Sequence, residues 1–189
     1  MRVQALKEWA IVCRALGTGR QVVLLRKGGI MEYRQGFQVK HDRFLLYPTF
    51  EHQDANYIQG DYRHVFEAEF SGSQIPRSNH TTLEYYAEVA EVKEISDKSV
   101  LPALEPFHIW TESYVNARME YNPSKPMSVL LLRIYRLASP VAVDPKPEWA
   151  GCKSWLPVDI ELESAVPVMD EHDFSRVASK VRRVLSVPA

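Results

Sequence analysis

The chain has few cysteines, no long hydrophobic run and almost no net charge. It contains 2 cysteines in 189 residues, which is too few for a disulfide framework, and their separation does not match the spacing of metal ligands. No apolar stretch approaches the length of a membrane span. Charged residues lie among the first ten residues, and no apolar core of signal-peptide length follows them. These absences predict a cytoplasmic protein that does not enter membranes.

The charges nearly cancel. The 23 basic and 24 acidic residues leave a formal net charge of −1, so no overall attraction to nucleic acid or to a membrane surface is expected. Any basic binding surface must therefore be local. The length is that of one ordinary domain with a substantial core. We predict a single domain over residues 1–189, closed by an amphipathic helix at about residues 170–186.

The hydrophobic pattern indicates many short elements, with five to seven strands and about three helices. The most apolar segment, residues 127–143, predicts a long central strand that bends near Ser139 and Pro140, because proline cannot continue a ladder. Residues 85–95 predict another strand, and residues 4–16 favour a short helix that leads into a strand. Strands separated by turns and short helices predict an α+β domain with a small curled mixed sheet or a partly closed barrel.

Basic residues and glycines follow the apolar run at residues 22–25. Arg26 and Lys27 precede Gly28 and Gly29, and two cations beside exposed backbone N–H groups can hold a phosphate or a carboxylate. A solvated hairpin turn explains the same composition equally well. Three nearby basic residues would extend the segment into a local patch with salt-dependent binding: Arg34, Lys40 and Arg43.

A second polar group follows the apolar run at residues 44–47. Tyr47 ends that run, and Glu51, His52 and Gln53 come shortly after it. Tyr and His side chains stack on an unstacked base, while Glu and Gln read its polar edge. Glu51 and His52 are also candidates for the orienting group and the general base of a hydrolase. The simpler interpretation is a loop whose polar groups satisfy backbone atoms.

Two further patterns are weaker. Glu91 and Lys93 share one strand face, and with the upstream Asp61 they match the acidic-x-Lys arrangement of PD-(D/E)xK nucleases. In such a nuclease the carboxylates hold Mg²⁺ and the lysine positions the attacking water. A solvated strand face is the favoured explanation.

The second of these patterns is a stripe at helical spacing. Trp110, Tyr114 and Arg118 would form one wall of an aromatic cleft, or would belong to the core with Arg118 reaching out to water. The core is the favoured location.

Several segments resemble known families. The runs ALKEWAIVCRAL, QVVLLRKGGI and FLLYPTFEHQ resemble a bacterial family known only as a domain of unknown function. The order of the elements resembles PUA-like domains more loosely, especially the EVE and ASCH branches, in the runs FLLYPT, AEVAEVKEISD and LLLRIYRLASPVAV. That second resemblance implies a small pseudobarrel that holds RNA or a modified base in an aromatic and basic cleft. The sequence has no clear copy of the EVE arginine-rich insertion or of the ASCH catalytic constellation.

The leading prediction is a PUA-like protein that binds RNA or a modified nucleotide non-covalently and without a cofactor. The expected ligand-binding residues are Arg26, Lys27, Tyr47, His52, Gln53 and, as a stacking wall, Trp110. One alternative is a hydrolase or nuclease that uses Glu51 and His52, or Glu91 and Lys93, with Mg²⁺ required only by the nuclease. The other is a protein-interaction module without catalysis.

Overall fold

The computed structural model of the chain describes residues 3–28, 36–72, 80–151, 153–158, 160–161 and 164–186. Gly29, from the predicted glycine-containing basic segment, and Arg34, from its predicted extension, lie outside these ranges. Residues 73–79, which belong to a segment with the composition of an exposed loop, also lie outside them. None of the described helices combines the length and the apolar character needed to cross a membrane.

Within these ranges the chain forms seven strands and five α-helices. The strands are β1 (Val3–Trp9), β2 (Val23–Arg26), β3 (Arg43–Thr49), β4 (Thr81–Ile95), β5 (Met127–Val143), β6 (Trp155–Val158) and β7 (Ala165–Pro167). The helices are α1 (Ala10–Gly17), α2 (Gly60–Glu69), α3 (Leu101–Leu104), α4 (Glu112–Glu120) and α5 (Glu171–Leu185). Short 3-10 turns, such as Ala55–Tyr57, link several of them.

The strands belong to one mixed sheet in the order β2-β5-β4-β3-β1-β6, with β7 paired to β5. β1 and β3 run parallel, and the other described pairs are antiparallel. The Arg26 side chain at the end of β2 donates a hydrogen bond to the hydroxyl of Ser154, next to β6, over 2.8 Å. The two terminal strands of the sheet therefore come close together, so the sheet is curled. The predicted α+β class with a curled mixed sheet is confirmed.

Both faces of the sheet are covered by apolar side chains. On β3, Phe44 and Leu46 join a large core cluster that includes α1, while Leu45 and Tyr47 join a second cluster with Trp149. Successive strand residues point to opposite faces, so a strand buried on both sides reads as an unbroken apolar run. This explains why β3 has no polar alternation in the sequence.

The predicted order of the first two elements is wrong. Residues 3–9 form a strand and the helix follows it at Ala10–Gly17, whereas the sequence favoured a helix that leads into a strand. The apolar spacing of three and four extends across the junction between the two elements, which concealed the boundary. β1 is determined by its neighbours, because it pairs with β3 on one side and β6 on the other.

The long central strand and the C-terminal helix are confirmed. β5 covers residues 127–143, and the stretch from Arg136 to Val141 lies opposite the shorter stretch from Leu83 to Tyr85, so the ladder is irregular around Pro140. Helix α5 begins after Asp170, whose carboxylate accepts the N–H of Asp173 over 2.7 Å. It buries one face through Phe174, Ala178, Val181 and Leu185.

Candidate functional site

A cleft of about 390 Å³ lies where the carboxyl ends of β1, β2 and β3 meet. β1 and β3 are parallel and adjacent, so both end at the same edge of the sheet. Helix α4 and the segment before β6 complete the walls. The residues that line this cleft are Lys7, Glu8, Trp9, Arg26, Gly28, Thr49, Glu51, His52, Tyr57, Tyr114, Arg118, Gly151, Lys153 and Ser154.

One side of the cleft is an aromatic platform made of Trp9, Tyr57 and Tyr114. The ring centroids of Tyr57 and Tyr114 are 5.0 Å apart, and Trp9 lies 6.0 Å from Tyr114 and 6.4 Å from Tyr57. Trp110 supports the platform from the core, stacked on Tyr114 at 4.2 Å and edge-on to Trp9 at 5.0 Å. Tyr57 is 38% exposed, so the platform offers an accessible ring to a ligand.

Backbone hydrogen bonds hold the platform in place. Ile58 and Trp110 form an isolated antiparallel bridge, and the N–H of Thr111 donates to the carbonyl of Tyr57 over 2.9 Å. Thr111 also caps α4 by accepting the N–H of Tyr114 over 3.4 Å. Burial raises the pKa of Tyr114 to about 12, so its phenol stays neutral near pH 7. The aromatic rings are therefore positioned before any ligand arrives.

An ion pair between the partly buried Arg26 and the buried Glu8 closes the floor of the cleft. The Arg26 guanidinium lies 2.9 Å from the Glu8 carboxylate, donates to Ser154 and sits 5.0 Å from the ring centroid of Phe37. Glu8, only 7% exposed, also accepts the N–H of Trp9 over 2.8 Å. Buried charges need such partners, because the loss of hydration is costly. Arg26 thus ties β2 to β1 and to the start of β6.

The rim of the cleft carries a positive excess. Among the described residues that line the cleft, four are basic (Lys7, Arg26, Arg118 and Lys153) and two are acidic (Glu8 and Glu51). Arg26 and Glu8 pair with each other on the floor, so the other charged lining residues still have a basic excess. Three of the basic side chains donate to backbone carbonyls: Lys7 to Trp149 and Gly151, Arg118 to Gly28, and Lys153 to Glu148. A neutral carbonyl orients a cation without cancelling its charge, so the rim attracts anions.

Glu51 and His52 lie at the mouth of the cleft. Both side chains are exposed, and His52 has a positive φ of 62°, which is uncommon for a residue other than glycine. No hydrogen bond in the described part of the chain joins their side chains. The structure does bring both residues to the same cleft as Arg26.

Two predicted ligand-binding residues turn away from the cleft. Lys27, adjacent to Arg26, is 2% exposed, and its ammonium donates to the carbonyl of Met119 over 2.6 Å. Burial lowers the pKa of Lys27, and Arg118 and Lys98 lower it further. Tyr47 packs edge-on against Trp149, and its hydroxyl accepts a hydrogen bond from Thr81 over 3.0 Å. Lys27 points away from Arg26 because neighbouring residues of an extended chain point in opposite directions, and Tyr47 lies on β3 in the core cluster of Trp149.

Two others act on the cleft indirectly. The Gln53 side-chain oxygen accepts the N–H of Ile11 over 3.0 Å and so satisfies the start of α1, a helix without a side-chain cap of its own. Trp110 is 3% exposed and supports Tyr114 rather than facing the opening. The core location favoured for the helical stripe applies to Trp110, whereas Tyr114 and Arg118 line the cleft.

The nuclease residues are engaged elsewhere. Asp61, in α2, pairs with Arg20 over 2.8 Å, and Glu91, in β4, pairs with Arg182 over 2.8 Å. Lys93 is exposed on β4. Among the described residues, Asp170, His172 and Asp173 at the start of α5 form a group that could hold a metal ion. The two carboxylates of the predicted nuclease site therefore have different partners on different elements.

Sequence reasoning missed much of the cleft. Glu8 and Trp9 belong to the predicted helix, Tyr57 to a predicted loop or short helix and Ser154 to a predicted strand, and the sequence singled out none of the four as a site residue. The pair Glu8-Trp9 at the end of residues 3–9 was a signal for this site. It required residues 3–9 to be recognised as a strand, since polar residues at strand ends often form sites.

The chain belongs to the family described as a domain of unknown function, DUF1802, whose model matches residues 5–180. The first resemblance drawn from the sequence is thereby confirmed. None of the curated proteins compared with the chain matches it.

Solved structures similar to the chain include ASCH from Zymomonas mobilis, at 9% identity, with 93% of each chain covered and a TM-score of 0.46. A mutant of the same protein gives 9% identity, 93% and 96% coverage of the two chains, and a TM-score of 0.44. A second mutant gives 10% identity, 93% and 94% coverage, and a TM-score of 0.39. At such scores, the chemistry of the cleft has to be judged from its own residues.

Proposed function

We propose that the cleft binds single-stranded RNA or a modified nucleotide non-covalently. The observation that carries this proposal is the exposed aromatic platform beside a positively charged rim. Bases stack on aromatic rings whatever their sequence, and basic side chains attract the phosphates between them. Sequence-specific readers of RNA use the same combination on unpaired bases.

The dimensions of the cleft support a small unpaired ligand. Its volume of about 390 Å³ lies near the lower end of the range for small-molecule sites, about 300–1,000 Å³. One base with its sugar fits this size better than a duplex does. Glu51 and His52 stand at the mouth with exposed side chains, where they can contact the polar edge of a stacked base. Arg26 has a supporting role, because Glu8 and Ser154 already occupy its guanidinium.

The platform is tested by Tyr57→Ala, because Tyr57 is the exposed ring and its removal leaves the core intact. Stacking on one aromatic side chain contributes about 1–3 kcal/mol per base, so we expect RNA affinity to fall by about 5- to 150-fold. The measurement is fluorescence anisotropy with a labelled single-stranded RNA of about eight nucleotides.

The matched control is Tyr57→Phe, which keeps the ring and should bind as the parent does. Lys93→Ala removes an exposed cation outside the cleft and should also leave binding unchanged. Equal affinity of Tyr57→Ala and the parent would contradict the assignment of the platform. A parent protein that binds none of the RNA probes, and that carries no nucleotide in native mass spectrometry, would contradict the proposed function.

A further inference from the structure

A second cavity, of about 310 Å³, lies on the opposite side of α4 from the cleft, next to α3. Leu101 and Val115 form its apolar part, and Asn116 contributes an amide. Glu105 and Glu112 are exposed at its opening. This cavity shares no lining residue with the cleft.

His108 lines this cavity and carries an unsatisfied hydrogen-bonding group. The residue is 2% exposed, and its Nδ1 accepts the N–H of Trp110 over 3.2 Å. In a neutral imidazole with Nδ1 as acceptor, the proton resides on Nε2. Nε2 is buried and has no hydrogen-bonding partner among the described residues. Buried polar groups are nearly always paired, so this donor calls for an acceptor from outside the chain.

The ring stays neutral in the physiological range. Burial, with a smaller contribution from the nearby Arg20, lowers the pKa of His108 to about 4. Near pH 7 it therefore offers one N–H donor and no positive charge. An acceptor bound there does not need to be an anion.

The opening of the cavity is negative. Within the described ranges, neither Glu105 nor Glu112 takes part in an ion pair, whereas Lys98, which also lines the cavity, is paired with Glu120 over 2.6 Å. The uncompensated carboxylates favour a cation and disfavour an anionic ligand.

We propose that this cavity is a binding site for a small amine that also carries a carbonyl oxygen. The carbonyl accepts the His108 Nε2–H, the ammonium group faces Glu105 and Glu112, and the carbon skeleton packs on Leu101 and Val115. The site goes beyond the proposed RNA binding and does not depend on it, since the two cavities have separate linings.

Prolinamide and pyrrolidine are a matched pair of probes. Both present a ring ammonium group, and only prolinamide has a carbonyl oxygen. We expect prolinamide to shift the amide resonances of Val115 and Asn116 and the imidazole resonances of His108 in a saturable NMR titration of the full chain. Pyrrolidine should bind about tenfold more weakly, because it leaves the buried donor unpaired. Proline, which adds a carboxylate, should bind more weakly than prolinamide.

Two variants locate the contacts. His108→Asn keeps a side-chain acceptor for the Trp110 N–H two residues on and removes the Nε2 donor, so prolinamide should bind no better than pyrrolidine. The double variant Glu105→Gln with Glu112→Gln alters exposed side chains only, so it keeps the fold. It should weaken both amines and remove the salt dependence of their binding.

Three results would overturn this site: no saturable shift with prolinamide, equal affinity for prolinamide and pyrrolidine, or unchanged prolinamide affinity in both variants. RNA affinity, measured on the same variants by fluorescence anisotropy, distinguishes the amine site from the RNA-binding cleft. Unchanged RNA binding together with lost amine binding supports a separate site, and failure of the cleft proposal leaves the amine titration unaffected.

Discussion

Helix α4 separates two cavities with opposite chemistry. Tyr114 and Arg118, four residues apart, line the cleft, whereas Glu112, Val115 and Asn116, at spacings of three and four, line the cavity at His108. Residues three and four apart share a helix face, so each face of this nine-residue helix serves one cavity. The cleft combines exposed rings with a positive rim, and the cavity combines a neutral buried imidazole with a negative opening.

The two cavities also differ in the hydrogen bonding of their buried polar groups. In the cleft, Glu8 and Arg26 form an ion pair, and Arg26 also donates a hydrogen bond to Ser154. In the cavity at His108, one nitrogen holds the backbone of Trp110 and the other has no partner among the described residues. A satisfied pair acts as structure, while an unsatisfied donor is a candidate for ligand binding. The following changes test this difference, beginning with the largest expected effect.

The largest effect is expected from Arg26→Ala. It leaves the Glu8 carboxylate buried without its partner, and breaking a buried ion pair costs about 3–5 kcal/mol. The free energy of unfolding, measured with urea, should therefore fall by about 3–5 kcal/mol. Arg26→Met combined with Glu8→Gln removes both charges and should recover much of it.

The matched control is Arg182→Ala, which breaks the half-exposed pair with Glu91. Such a pair contributes about 1 kcal/mol or less. If Arg26→Ala is no more destabilising than Arg182→Ala, Arg26 is not a structural part of the cleft floor.

The next effect is the pH dependence due to His108. Its pKa is about 4 in the folded chain, below the value of 6.5 for an unperturbed histidine. Between these values the unfolded chain binds more protons, so stability from this group is present above pH 6.5 and is lost as the pH falls towards 4. The expected loss is up to about 3 kcal/mol.

Unfolding of the parent and of His108→Asn at several pH values between 7 and 4 measures this difference. The stability of the variant should fall less steeply than that of the parent. His172→Asn, which changes an exposed histidine on α5, should follow the parent. Parallel curves for the parent and His108→Asn would show that the imidazole is not held neutral by burial.

The smallest effect is expected from Lys153→Ala at the rim of the cleft. Its ammonium is exposed and donates to the carbonyl of Glu148, so folding should be unaffected. RNA affinity should fall about threefold, and the slope of log affinity against log salt should decrease by about 0.7, the value for one contact to a single strand. The amine site should be unchanged. An identical salt slope would remove Lys153 from the RNA interface.

The sequence indicated part of the cleft and misplaced the rest for a geometric reason. Arg26 and Lys27 are adjacent and chemically alike, yet one lies in the cleft and the other is buried against Met119. Composition treats the two cations as equivalent, whereas the backbone directs them to opposite sides. The sequence left open whether Glu51 and His52 share a site with Arg26; in the structure all three line one cleft, because the loop that follows β3 opens near the end of β2.

The first helix and strand show the same limit. The apolar period across residues 4–16 is real, but it combines the inner face of β1 with the buried face of α1. Only the pairing of β1 with β3 and β6 identifies its first part as a strand. That error concealed Glu8 and Trp9 at the end of β1, and with them half of the cleft floor and one ring of the platform.

By itself, the sequence determined the features that depend on neighbouring residues: the α+β class, the long apolar strand β5, the amphipathic helix α5 and membership of the family. Local periodicity and local motifs carry that information. The tertiary structure alone decided that Trp9, Tyr57 and Tyr114 form one platform, that Tyr47 and Lys27 are buried, and that Nε2 of His108 has no hydrogen-bonding partner among the described residues. These features depend on contacts between residues far apart in the chain, which sheet pairing and core packing establish, and no local pattern encodes them.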